Sequence, residues 1–159
     1  MPTFGRDDTS DGERQWKQVS RPHFDQTEFA GITARILNTE TSPFTILDMK
    51  IKPGFGAPAH ISASEDKLFI VLEGTLKYLV GERSEVVEPG ARVQIPKGIV
   101  HGFTNVGRGD ARHILVSTPR RHEAFFRDLH NIPEPREQHM HVLPGITERH
   151  DQKIVGPLP

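Results

Sequence analysis

Two glycine-bracketed stretches, each centred on a histidine and separated by about fifteen residues, constrain this chain more than any other feature. The first runs from Gly54 through Gly56, Pro58, His60, Ser62, Glu65, Asp66 and Lys67 to Gly74; the second runs from Gly90 through Pro96, Gly98 and His101 to Asn105. Glycines at such intervals supply turns with positive φ, and a proline such as Pro96 suits a strand end. Around them, short runs rich in β-branched and aromatic residues alternate with turn signals, over residues 31–38, 44–51, 67–72, 75–80, 92–95 and 111–117. Several short strands at this spacing predict a sandwich or barrel, and residues 80–87 read as a hairpin, so the sheets are expected to be antiparallel.

Beyond Pro119 the pattern changes. Phe125, Phe126 and Leu129 fall at helical spacing within residues 122–130, which predicts a helix with one face on the barrel, ended by Pro133 and Pro135. A second helix is expected from 136 to about 150, interrupted at Pro144 and Gly145. At the other end, residues 1–15 are polar and charged and predict a flexible leader, since they cannot repay the entropy of ordering. The chain therefore divides into a leader (1–15), a β-barrel (16–119) and a helical or extended tail (120–159) that packs on it.

The chain's 159 residues are enough for one core, and one domain is the expectation. A formal charge of −1 and a pI near 6.8 carry no footprint for nucleic acid and no polybasic patch for a membrane surface. Small molecules are the expected partners. No apolar run approaches the roughly 20 residues that span a bilayer, and the residues after Met1 lack a basic segment followed by an apolar one, so a cytoplasmic location is expected. The chain has no cysteine, which excludes disulfides, a thiolate nucleophile and thiolate metal sites.

The two stretches resemble the paired motifs of the cupin superfamily. The second matches the family's pattern at every fixed position: Gly90, five residues, Pro96, one, Gly98, two, His101, three, Asn105. The resemblance implies an all-β, double-stranded β-helix (a cupin or jelly-roll barrel) with a short C-terminal helical extension, similar to single-domain, quercetin-dioxygenase-like cupins. Metal-holding members supply His, His and Glu from the first motif and His from the second; those places here read His60, Ser62, Lys67 and His101.

Lys67 stands where the family places a glutamate, with Gly74 following after six intervening residues. Period-two alternation then sends Lys67, Phe69 and Val71 toward the cavity. Asp66 or Glu65 takes the glutamate's place only if the strand slips by a residue or carries a bulge. Ser62 is a poor ligand for a first-row divalent metal. His60 and His101 remain for any iron, manganese, nickel or zinc, and the expectation is that no metal is held. An ammonium at Lys67 would stand in for the cation, with its pKa lowered by burial and by neighbouring positive charge. His60 and His101 are the candidate acid and base. Ser62, Phe69, Phe103, Met49 and His113 are candidate substrate contacts.

The expected function is metal-independent acid–base chemistry of isomerase, cyclase or lyase type on an anionic or enolisable, fairly hydrophobic small molecule. Two alternatives stay open: a metal-dependent, quercetinase-like dioxygenase using His60 and His101, and a non-catalytic small-molecule binder. Each site residue also has a plainer role. Lys67 can snorkel to solvent, the histidines can be satisfied by backbone carbonyls, Ser62 can merely fill space, and His113 can be an ordinary strand residue. A homodimer is expected.

Overall fold

The computed structural model describes residues 25–159. The expected leader lies outside the described residues. Eleven strands are described: β1 (Gln26–Phe29), β2 (Ile32–Ile36), β3 (Thr45–Ile51), β4 (Gly56–Ser62), β5 (Asp66–Glu73), β6 (Leu76–Val80), β7 (Arg83–Val87), β8 (Arg92–Ile95), β9 (Val100–Asn105), β10 (Ala111–Thr118) and β11 (Gln152–Ile154). They form two antiparallel sheets, one ordered β1-β2-β3-β10-β5-β8 and the other β11-β4-β9-β6-β7. This is the double-stranded β-helix expected from the motifs.

Alternation decides which side chains enter the barrel. On β5, Lys67, Phe69 and Val71 are buried, while Leu68 and Ile70 are half-buried and Leu72 is exposed. On β10, Ala111, His113, Leu115 and Ser117 are buried in the same rhythm. With Leu47, Met49 and Ile51 of β3, Leu76 and Tyr78 of β6, Ile95 and Phe103, these residues fill the interior. Asp48 is buried beside them, and its charge is met by a two-pronged ion pair from Arg112, with both contacts at 2.8 Å.

Two glycines of the motifs act by different means. Gly98 has φ +83°, the left-handed turn that delivers the chain into β9 and His101. Gly56 sits where a Cβ would collide with the Phe103 carbonyl, so its lack of a side chain lets β4 and β9 pair closely. The register between these strands shifts between Ala57 and His60, and Ala59 bonds instead to the chain's tail, at the Pro157 carbonyl and the Val155 amide.

Helix α1 (His122–His130) follows the barrel, as the spacing of Phe125, Phe126 and Leu129 predicts. Two 3-10 turns, Arg136–Gln138 and Met140–Val142, lead into helix α2 (Leu143–Arg149). Pro144 therefore opens a helix rather than interrupting one. A proline in the first turn gives up only an N–H that has no intrahelical partner there. Leu129, Ile132 and Ile146 form a second apolar cluster with Phe29, Phe125 and Leu143 partly buried against it, which ties both helices to β1. Among the described residues no helix is long and apolar enough to cross a membrane.

Candidate functional site

The residues of the two motifs meet where the sheets face each other at one end of the barrel. Lys67 comes from the six-stranded sheet; His60, Ser62 and His101 come from the five-stranded one. Lys67 is only 3% exposed, and its Nζ donates to Ser62 Oγ at 2.6 Å and approaches His101 Nε2 at 3.3 Å. A lysine with no carboxylate in direct contact would normally turn outward. Here the stem follows the inward positions of β5, so the head is held by the opposite sheet.

Backbone carbonyls fix both imidazoles. His60 Nδ1 lies 2.7 Å from the Pro58 carbonyl and His101 Nδ1 lies 2.9 Å from the Ile99 carbonyl. A carbonyl only accepts, so each ring carries its proton on Nδ1 and keeps a bare Nε2 lone pair. The rings are 4.1 Å apart, and their residues are paired across β4 and β9. Burial, then the Lys67 charge, holds His60 well below the ordinary imidazole range and His101 at about 3. Both are neutral at pH 7. Burial brings Lys67 down to about 8, with Glu65 pulling the other way.

Behind Ser62 lies a second layer. Ser62 Oγ donates to Gln152 Oε1 at 2.6 Å, and Gln152 Nε2 donates to Glu65 Oε2 at 2.9 Å and to the His150 carbonyl at 3.0 Å. Glu65 is buried, with Arg121 Nε 3.5 Å and His122 Nδ1 3.6 Å from its other oxygen. Burial raises its carboxyl, but His122, Lys67 and Gln152 outweigh that and keep it below the usual carboxylate range. His122 is itself lowered to about 4 by burial first and by Lys67 next.

His60 and Lys67 open onto a cavity of about 160 Å³. Phe69, Phe103, Met49 and Leu115 wall it from the barrel, and His122, Phe125, Phe126 and Leu129 wall it from α1. Gln152 and Ile154 of β11 close another side. A larger groove of about 570 Å³ shares Gln152 and Ile154 but is lined by no histidine.

A family model, the Cupin domain, matches residues 47–117, which hold both motifs and eight strands from β3 to β10 in whole or part. Solved structures agree in fold. KdgF from Halomonas sp. is 21% identical over 63% of this chain and 92% of its own, with a TM-score of 0.57. Residues 47–117 of the chain form a cupin domain. An RmlC-like cupin from Shewanella frigidimarina is 18% identical over 67% of this chain and 98% of its own, with a TM-score of 0.56. A cupin-superfamily sugar phosphate isomerase from Silicibacter pomeroyi is 24% identical over 55% of this chain, with a TM-score of 0.52, and the match spans 59% of that isomerase's length. No curated protein matches the sequence.

The donors in this cupin do not fit the family's divalent metal. His101 Nε2, the lone pair that a metal would need, faces the Lys67 head at 3.3 Å. Asp66 sits at the surface, where its carboxylate accepts from the Lys97 amide at 2.8 Å, and Glu65 is turned to Gln152, Arg121 and His122. Strand β5 keeps the register that points Lys67 inward. Among the described residues no three His, Asp or Glu side chains converge to hold a metal ion.

Of the residues singled out in the sequence, His60, Lys67, Phe69, Phe103 and Met49 line the cavity. Ser62 and His101 stand one step back, on the Lys67 head. His113 lies in the core, fully buried between Phe69 and Phe103, with Nδ1 2.6 Å from the Tyr78 hydroxyl. Gln152, His122 and the buried role of Glu65 escaped sequence reasoning. The helical stripe of α1 was the available signal for the helix wall; nothing in the run Gln152-Lys153-Ile154 marks its glutamine as a partner of Ser62.

Proposed function

We propose that this cupin is a small-molecule enzyme that moves a proton on an enolisable substrate without a bound metal, in an isomerase, cyclase or lyase type of reaction. The observation that carries this reading is Lys67 Nζ, buried at the head of an apolar cavity beside a bare imidazole nitrogen. An ammonium has three N–H donors. Two meet Ser62 and His101, and the third is free for an oxygen in the cavity that gains negative charge as a proton leaves the adjacent carbon. Because the Lys67 head is buried, such a donor stabilises an enolate far more than it would in bulk solvent.

His60 supplies the base. Its Nδ1 proton is held by the Pro58 carbonyl, so Nε2 takes a proton from the carbon α to the substrate carbonyl and returns it to the same or another carbon. His101 serves as an acceptor that orients Lys67. The cavity of about 160 Å³ is close to the ~150 Å³ that admits benzene in an engineered apolar core, so a substrate with one six-membered ring and one carbonyl or carboxylate is the size expected. The resemblance in fold to a sugar phosphate isomerase supports an isomerase, while the apolar walls argue against a phosphorylated sugar as its ligand.

The test is deuterium wash-in at the α-carbon of cyclohexanone and phenylpyruvate in D2O, followed by NMR. Catalysed exchange that survives a chelator is expected, with a loss of about 10²–10³-fold in Lys67→Ala and about 10²–10⁴-fold in His60→Ala. Exchange that requires added iron, manganese, nickel or zinc and persists in Lys67→Ala would instead establish the metal-dependent alternative. We also propose a homodimer: β1 and β8 end the six-stranded sheet with one unpaired edge each among the described residues. A light-scattering mass of one chain at micromolar concentration contradicts it.

A further inference from the structure

We propose that Gln152, on the C-terminal strand, is a positioning residue for Lys67: with Glu65 behind it, Gln152 sets the direction of a hydrogen-bond chain that leaves one Nζ position of Lys67 facing the cavity. This assignment rests on the reading of Lys67 as the charged donor of the site.

The direction follows link by link from which atoms donate. The Glu65 carboxylate and the His150 carbonyl only accept, and both lie within 3.0 Å of the same Gln152 nitrogen. That nitrogen is therefore Nε2, and Oε1 must face the other way, toward Ser62. At 2.6 Å from Ser62 Oγ, Oε1 takes the hydroxyl proton. Ser62 has one proton and has given it away, so it meets Lys67 Nζ, also at 2.6 Å, with a lone pair. The second acceptor, His101 Nε2, is bare because the ring proton sits on Nδ1, which donates it to the Ile99 carbonyl. With two tetrahedral positions of Nζ committed to fixed acceptors, the third is aimed at the cavity that Lys67 lines.

Neither Gln152 nor Glu65 hydrogen-bonds to Lys67. Gln152 reaches Lys67 through Ser62, while Glu65 also acts on it directly through its charge, and the Gln152 link depends on the pairing of β11 with β4, whose register sets Gln152 opposite Ser62. If Gln152 were absent, the Ser62 hydroxyl would be free to rotate and offer its proton to a neighbour, and Lys67 would lose a fixed partner. The C-terminal strand thus does more than cover the barrel.

The experiment reads the Lys67 side chain directly and uses no substrate. Protein labelled with ¹⁵N-lysine is examined by ammonium-selective NMR at pH 6, with the Lys67 signal assigned by its loss in Lys67→Ala. Slow exchange of the Lys67 ζ protons with water is expected in the unaltered chain. Gln152→Leu and Glu65→Leu are expected to speed that exchange at least tenfold and to move the ¹⁵Nζ resonance. Glu65→Gln keeps an acceptor for Gln152 Nε2 and is expected to retain slow exchange, a rescue that a role based on bulk charge or packing would not give. Ser62→Ala removes the intermediate link and is expected to match Gln152→Leu, which covers the case where one variant fails to fold. An unchanged Lys67 signal in Gln152→Leu or Ser62→Ala overturns the assignment, as does a loss in Glu65→Gln equal to that in Glu65→Leu. The deuterium wash-in separates the two ideas: if Lys67→Ala leaves it intact the reading of the site fails, whereas an unchanged NMR signal with wash-in still dependent on Lys67 sinks only the role of Gln152.

Discussion

Lys67 concentrates both the cost and the chemistry of this site. Burial lowers it from the ordinary lysine value of 10.5 to about 8, so below pH 8 the folded state carries a charge that it holds less readily than the unfolded chain does. The sign of the linkage follows. Between about pH 8 and 10.5 the unfolded state binds the proton that the folded state has released, so Lys67 makes stability rise with pH across that window. Replacing it with an apolar chain of similar reach removes the penalty. Lys67→Met is expected to gain about 1–3 kcal/mol in urea unfolding at pH 7, with the gain shrinking by pH 10, while wash-in activity is lost. A Lys67→Met protein less stable than the parent at pH 7 would show that the partners in the opposite sheet outweigh the desolvation. The same group sets a pH profile: turnover is expected to fall as pH rises through about 8, where the ammonium loses its proton, and to hold into the acid range until His60 is protonated well below the ordinary imidazole value.

At the level of elements, the barrel supplies the polar head groups of the site and the C-terminal extension supplies much of their enclosure. Helix α1 presents His122, Phe125, Phe126 and Leu129 to the cavity, while β11 brings Gln152 against Ser62. The helix is anchored by more than its apolar stripe. Thr45 of β3 donates to Glu123, and Arg127 grips the Asp25 carboxylate with two nitrogens, each 2.8 Å from an oxygen. Truncating Leu129, which is 6% exposed, to alanine is expected to cost about 2–4 kcal/mol and to loosen the cavity wall. Denaturant unfolding measures the first effect, and faster amide exchange along α1 than along β5 and β10 measures the second; equal protection in all three would argue that the helix is integral to the barrel's folding unit.

The whole molecule keeps several imidazoles neutral in its interior. Burial holds His101 and His113 at about 3 and His122 at about 4, and His60 is also well below its ordinary value. In the unfolded chain the same groups bind protons near pH 6.5. The unfolded state therefore holds more protons below that point, and stability is lost as pH falls from about 6.5 toward 3–4. At pH 5 His101, His113 and His122 imply an uptake of about three protons on unfolding, a slope of roughly 4 kcal/mol per pH unit, and His60 adds in the same direction. Urea unfolding between pH 7 and 4.5 checks this, and a flat stability over that range is incompatible with three buried neutral histidines.

The barrel was readable along the chain because strand alternation and turn glycines are local signals. Residues 92–95 and 122–130 are bounded as read, and Lys67 is buried on the side that its register demands. Strands β4 and β9 were less plain: β4 carries Pro58 and a register shift, and β9 has Gly102 beside His101, so neither reads as a regular run. The replacement of two expected metal ligands by Ser62 and Lys67 was equally visible in one dimension. How those two side chains are used was not. Ser62 and Gln152 are 90 positions apart, and Glu65 and Gln152 are 87 apart, so their bonds exist only because the tail returns to pair with β4. Periodicity reports which face a side chain occupies; the identity of its partner, and with it the direction of every proton in the chain from Glu65 to Lys67, is set by how distant strands close on one another.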